Sequence, residues 1–240
     1  MPLTPEQEWT IAACGLIAHA DGDLSPGESD QVLAMLDERL TPAEHARWLT
    51  LLADHAALRA AFAEMSPPLP AFTEPLLEKA WTMALADGHA SDAEVRELER
   101  IADELGIDAR ELGEWRRHWT ERAVELAEHI SAFAAVLIHH DGAIEAAEAG
   151  QFRDLLARLP LSTRRREQLA TELLAHPPAL DQVGATLASL PRERRLTVLR
   201  SLAPLVACSS RADLGRAFFL DLAQAAAISA EQAARLLGPA

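Results

Sequence analysis

The sequence predicts an all-α protein, and three observations carry that prediction. Apolar residues recur three and four positions apart nearly throughout, as in Val32, Leu33, Leu36 and Leu40, or Val95, Leu98, Ile101, Ala102 and Leu105. Alternating strand patterns are missing. Segment after segment opens on a residue whose side-chain oxygen accepts from the free amides of a first helical turn, with Glu or Gln three places on. Thr4 to Gln7, Ser25 to Glu28, Thr41 to Glu44, Ser91 to Glu94, Asp108 to Glu111 and Ser229 to Gln232 have that spacing. Pro5, Pro26 and Pro42 then fall at the first helical position, where a missing N–H costs nothing.

Read in order, these signals place helices near 4–20, 26–39, 42–53, 55–65, 74–86, 92–105 and 109–118. "SPPLP", Ser66 to Pro70, interrupts the series. The second half repeats the scheme, with breaks at Pro177, Pro178 and Pro191. No Pro or Gly lies between Gly113 and His140, so the last helix of the first half is expected to run on into the second as a shared long helix.

The 240 residues allow one or two domains with ample core, and shares of 49% apolar and 25% charged residues are those of a globular chain. Cys14 and Cys208 stand singly in apolar segments, which suits reduced buried thiols in the cytosol better than zinc or disulfides. The start "MPLTPEQEW" lacks a basic export signal, and no apolar run is long enough to cross a membrane. A cytoplasmic location is the expectation. The net charge of −15 argues against nucleic acid and anionic lipid and favours cations or basic partners. That charge is concentrated: residues 1–118 hold 23 Asp and Glu against 9 Lys and Arg. Arginines cluster only in the second half, at Arg164 to Arg166 and at Arg192, Arg194 and Arg195, where Glu167 and Glu193 offer local pairing.

One short motif recurs. "ADGDLSPGE" at Ala20 to Glu28 is echoed by "ADGHASDAE" at Ala86 to Glu94 and "HDGAIEAAE" at His140 to Glu148. The aspartates are spaced 66 and then 54 residues apart, 120 in all, and an eroded fourth copy, "CSSRADLGR", lies near Ser209. The expected organisation is a tandem duplication, 1–118 and 119–240. Glycine at each loop suits a left-handed residue ending a helix, and Ser25, Ser91 and their glutamates suit the start of the next. Capping leaves the aspartates unexplained, because Asp21, Asp87 and Asp141 fall where the macrodipole is negative. An Asx-type bond to a loop amide or a bound cation would each offset that placement.

The cation reading assigns Asp21 with Glu28, Asp87 with Glu94, and Asp141 with Glu148 to oxygen-rich sites. Hard ions such as Mg²⁺, Ca²⁺ or Mn²⁺ suit these ligands, whereas Zn²⁺ would need help from Asp23, His19, His89 or His140. The loop is not an EF-hand, since counting from Asp21 puts Pro26 at position six and Val32 at position twelve. In the fourth copy Ser209 and Arg216 replace both acids while Asp213 keeps the cap, so the acids vanish as a pair. Phosphate-binding glycine loops, H-E-x-x-H and di-iron spacings do not occur, which leaves enzymatic activity with little support.

The apolar helix, "ADG", short loop, "S-x-x-E" cap and "IADELGI" ending resemble the tellurite-resistance TerB-like family. The resemblance is closest over "MALADGHASDAEVRELERIADELGI", Met83 to Ile107, then over Leu16 to Leu40, and weaker in the second half. It implies tandem TerB-like helical bundles of a cytoplasmic bacterial stress-response protein. It also implies metal binding through acidic residues and a protein partner, with work in membrane-associated complexes. Three readings stand: a noncatalytic cation-binding interaction module, a helical scaffold whose loops are purely structural, and a metal-dependent hydrolase.

Overall fold

The computed structural model describes residues 3–22, 32, 41–86, 88–140, 142, 144–206 and 212–237. Among them every regular element is a helix: α1 Pro5–Ala18, α2 Pro42–Leu52, α3 His55–Ala63, α4 Pro70–Ala84, α5 Asp92–Glu104, α6 Ala109–Ile138, α7 Ala146–Ala157, α8 Thr163–Ala175, α9 Leu180–Ser189, α10 Arg192–Val206, α11 Ala212–Ala225 and α12 Ala230–Leu236. No helix in this set is long and apolar enough to cross a membrane. The expected helix over 26–39 lies outside the described residues, as do Ser25, Cys208, Ser209 and most of the fourth DG-type loop.

The expected starts are built as the capping rule requires. Thr4, Thr41 and Ser91 each accept from the amide three residues on, and Gln7, Glu44 and Glu94 return a side-chain oxygen to the cap amide. Asp108 and Ser229 accept from first-turn amides in the same way. One start differs from expectation. α4 begins at Pro70 rather than near 74, because Pro70 occupies the first helical position and presets its φ, which leaves Pro75 inside the helix. The cost of Pro75 is limited because it falls early in the helix, where Ala71, whose carbonyl it cannot serve, is exposed.

The chain divides into two compact units, Met1–Ala123 and Val124–Ala240, so the boundary falls inside α6 and a few residues beyond the expected 118/119. The unbroken helix expected across that region is present as α6. In the first unit α1 is central. Its residues Trp9 to Ala18 are all buried, as a helix surrounded by others must be, and it packs on α3, α4 and α5. Trp48, Leu58, Leu77, Met83 and Trp119 complete that core.

The second unit has a corresponding interior. Phe133 to Ile138 of α6 are buried in succession and share a core with Phe152, Leu187, Val198, Leu202 and Phe219. Its arginines are used structurally. Arg165 pairs with Glu128 on α6, Arg166 donates to the Leu159 carbonyl and Arg195 donates to the Ala226 carbonyl. Arg165 and Arg195 thus bond to other elements rather than to the neighbouring Glu167 and Glu193. Helix ends have stronger need of these donors, since their last carbonyls have no partner within the helix.

Candidate functional site

The three DG loops share the conformation of their glycine and of the helix end before it. Gly22, Gly88 and Gly142 have φ of 87°, 103° and 81°, the left-handed region open to glycine. Each glycine amide donates to the carbonyl three residues back, His19, Leu85 and His139, at 3.2, 2.9 and 3.0 Å. The residue two before each glycine also donates three back: Ala20 to Ile17, Ala86 to Met83 and His140 to Leu137. The helix thus tightens and stops in the same way in all three.

Of the six acids assigned to these loops, Asp21, Glu94 and Glu148 are described, while Glu28, Asp87 and Asp141 lie outside the described residues. One member of each pair is therefore described. Asp21 is exposed at the loop surface. Glu94 and Glu148 are nearly inaccessible, at 3% and 2% exposure. Each directs Oε2 to the amide at the helix start, Ser91 N at 2.6 Å and Glu145 N at 2.8 Å.

Their burial follows from helical register. Glu94 leads the inward stripe of α5, followed by Leu98, Ile101 and Ala102. Glu148 leads that of α7, followed by Phe152 and Leu156. A carboxylate here gains from the positive end of the helix, yet a charge removed this far from water requires pairing or coordination beyond a cap amide. Glu44 in the same capping pattern keeps solvent access, and its hydrogen bonds from the Thr41 hydroxyl and amide hold its carboxyl below the usual range. Capping alone does not demand burial. Depth, beyond capping, is what sets Glu94 and Glu148 apart from Glu44.

Two of the histidines singled out near the loops, His19 and His140, place one ring nitrogen on a backbone carbonyl. His19 Nε2 lies 2.6 Å from the Leu52 carbonyl oxygen, and its ring stacks on His55 at 5.6 Å. A carbonyl only accepts, so that nitrogen carries the proton and has no lone pair for a metal. His140 is committed likewise through Nδ1 to the Leu137 carbonyl at 2.7 Å. The positional counterpart of His19 in the second unit is His139, whose Nε2 meets the Leu173 carbonyl at 3.2 Å. Sequence reasoning singled out His140 and missed His139, although both His19 and His139 stand two places before a loop aspartate. Each of these rings keeps a second nitrogen, and that of His140, Nε2, is buried without a hydrogen-bond partner, so the carbonyl contacts do not remove nitrogen donors from the loops. Among the described residues no three His, Cys, Asp or Glu side chains gather as a metal-binding group.

A third buried acid, Glu97, escaped the sequence reading. Glu97 on α5 binds Arg59 of α3 at 3.0 Å and Arg100 at 2.6 Å. Burial pushes its carboxyl up, but hydrogen bonds from Arg100 and Arg59 outweigh that and hold it below the usual range. The i, i+3 spacing to Arg100 was visible, whereas the partner on α3 was not.

Helices that end on left-handed glycines, two of them followed by a helix led by a buried glutamate, define an all-helical domain of the DG-loop type. The tellurite resistance protein TerB family matches residues 7–117, so that segment of the chain is a TerB-like domain. No curated protein and no solved structure matches the chain significantly.

Proposed function

We propose that this chain is a noncatalytic cytoplasmic module of stress-response assemblies that binds a divalent cation at its DG loops and engages a protein partner. The observation that carries the reading is the near-complete burial of Glu94 and Glu148 at the starts of the helices that follow two of the DG motifs. A hard cation held by the loop Asp and this Glu would neutralise both acids and tie the end of one helix to the start of the next. Mg²⁺, Ca²⁺ and Mn²⁺ fit that donor set.

The second half is read as a descendant of the same unit. Supporting this are the 120-residue interval between His19 and His139 with their matching carbonyl contacts, and the shared loop geometry at Gly22 and Gly142. A scaffold without metal is the second reading, favoured by the helix caps, which account for one oxygen of each buried glutamate without any ion.

Thermal melts of chelator-stripped protein separate the two. A cation at one hundred times its dissociation constant stabilises by about 2.7 kcal/mol. That gain is expected with at least one of the three ions, and Glu94→Gln and Glu148→Gln together should reduce it while Glu44→Gln leaves it intact. No shift with any cation refutes the cation reading and leaves the scaffold.

A further inference from the structure

A groove of about 680 Å³ opens in the first unit where the start of α4 meets the end of α5 and the start of α6. Its floor and walls include Pro67, Pro68, Pro70 and Pro75, with Leu105, Ile107 and Trp115. Prolines fix φ, so this wall is rigid and loses little entropy when covered. On its rim Leu69 and Phe72 are exposed at 62% and 45%, high values for side chains of that size. Apolar surface thus continues out of the groove and onto the surface beside it.

The polar lining is of one sign. Glu74, Glu104 and Glu111 line the groove, and no Lys, Arg or His does. Glu104 is bonded to Arg100. Glu74 and Glu111 are exposed and have no ion-pair partner among the described residues. The Ala71 carbonyl, to which Pro75 brings no N–H, adds a neutral acceptor at the same place. Trp115, half-buried and packed on Trp119, adds aromatic surface to the groove lining.

We infer that this groove docks a segment of a protein partner that carries arginine or lysine among proline and aliphatic residues. The cationic heads would meet Glu74 and Glu111 while the stems and aliphatic side chains lie on the proline wall and Trp115. This deepens the partner-engaging part of the proposed function and is independent of cation binding. The groove sits at the opposite end of the α4–α5 pair from the Gly88 loop, about 20 Å away along α4.

Trp115 is a natural reporter. Of the five tryptophans, Trp9, Trp48, Trp81 and Trp119 are buried and Trp115 is half-buried. The test titrates the full chain, in chelator, with a peptide of four Leu-Pro-Arg repeats, whose extended left-handed form lines its arginines along one face. Salt-sensitive binding is expected, with Trp115 fluorescence protected from acrylamide. Glu74→Gln with Glu111→Gln should weaken it roughly tenfold. The same charge change made at Asp181 and Glu193 in the second unit should leave it unchanged.

Equal affinity of the groove variant and the wild type would overturn the inference. So would equal binding of a Leu-Pro-Glu repeat peptide, or protection of Trp115 by arginine amide at the same concentration, which would make this a small-cation site. Because chelator is present throughout, loss of this binding and loss of the cation-dependent melting shift are separate failures.

Discussion

Gly15→Ala should destabilise the first unit although alanine is the better helix former. Gly15 lies within α1, so relief of its backbone freedom is worth about 1 kcal/mol in favour of the substitution. Opposing this, an added Cβ would stand 2.4 Å from Leu52 Cδ2 and 2.9 Å from Leu58 Cδ2. Carbon atoms pack at about 3.5 to 4.0 Å, so both methyl groups must retreat. Leu52, at 9% exposure, has some room toward solvent, but Leu58 is fully enclosed. Overpacking of this kind costs about 1 to 3 kcal/mol, and the close double contact places it at the upper end. The net loss is then about 1 to 2 kcal/mol, or roughly 2 to 8 °C in melting temperature for a chain of this size.

Far-UV circular dichroism melts would measure the loss, with Gly113→Ala as the internal contrast. Gly113 is also helical but has nothing within 4 Å of its added Cβ, so alanine there should stabilise by up to about 1 kcal/mol. Opposite signs for one chemical change isolate packing from propensity. Adding Leu52→Ala to Gly15→Ala should recover part of the loss as a non-additive term. If Gly15→Ala melts at or above the wild type, the close approach of α1 to the α2–α3 corner is refuted. With it would go the support for the His19 to Leu52 bond, which closes the same corner beside the first DG loop.

Three further outcomes are expected. Ala227 has φ of 54° at the helix end that matches Gly106, whose φ is 75°, and each following isoleucine donates five residues back. Ala227→Gly should stabilise by about 0.5 kcal/mol and Gly106→Ala should destabilise by about 1 kcal/mol in urea titrations. Glu97→Gln should cost about 2 kcal/mol at neutral pH, because it leaves Arg59 and Arg100 without their shared carboxylate. Its carboxyl is depressed in the folded state, so the wild-type contribution is present above the unfolded value near 4.5 and fades as pH falls through the folded one. The variant should therefore lose less stability than the wild type on acidification below about 4.5, and equal slopes would refute the depressed carboxyl. Cys14 is buried, which raises its thiol to about 12 against a small opposing effect of Lys79. Peptide-resolved maleimide labelling at pH about 8 should leave it unmodified until the protein unfolds.

Much of this architecture was legible because helix boundaries are local chemistry. Thr4, Thr41, Ser91, Asp108 and Ser229 cap helices within three residues of themselves, so their pattern survives in a linear reading. The start of α4 was misread for the same reason. Two prolines competed for the first helical position, and the exposed Ala71 carbonyl that makes an internal Pro75 tolerable is a property of the packed surface. The long α6 was visible as a stretch without Pro or Gly.

The site was legible in part. Left-handed glycines at the DG loops follow from the motif, as do the cap glutamates Glu94 and Glu148. What the motif does not contain is depth. Glu44 and Glu94 stand in the same four-residue pattern, yet one keeps contact with water and the other is sealed at the head of a core stripe. A line of Glu94, Leu98, Ile101 and Ala102 was present in the sequence as a hint, since an acid in register with apolar residues points inward with them.

By itself, the sequence determined the helical class, most helix ends, the recurring loop and its glycine conformation, because each depends on neighbours a few residues away. Tertiary structure alone decided which acids are buried, that His19 and His139 are spent on carbonyls 33 and 34 residues distant, that Glu97 finds Arg59, and that prolines and acids of three helices share one groove. Those outcomes depend on which faces meet when the core excludes water, and no local pattern encodes that meeting.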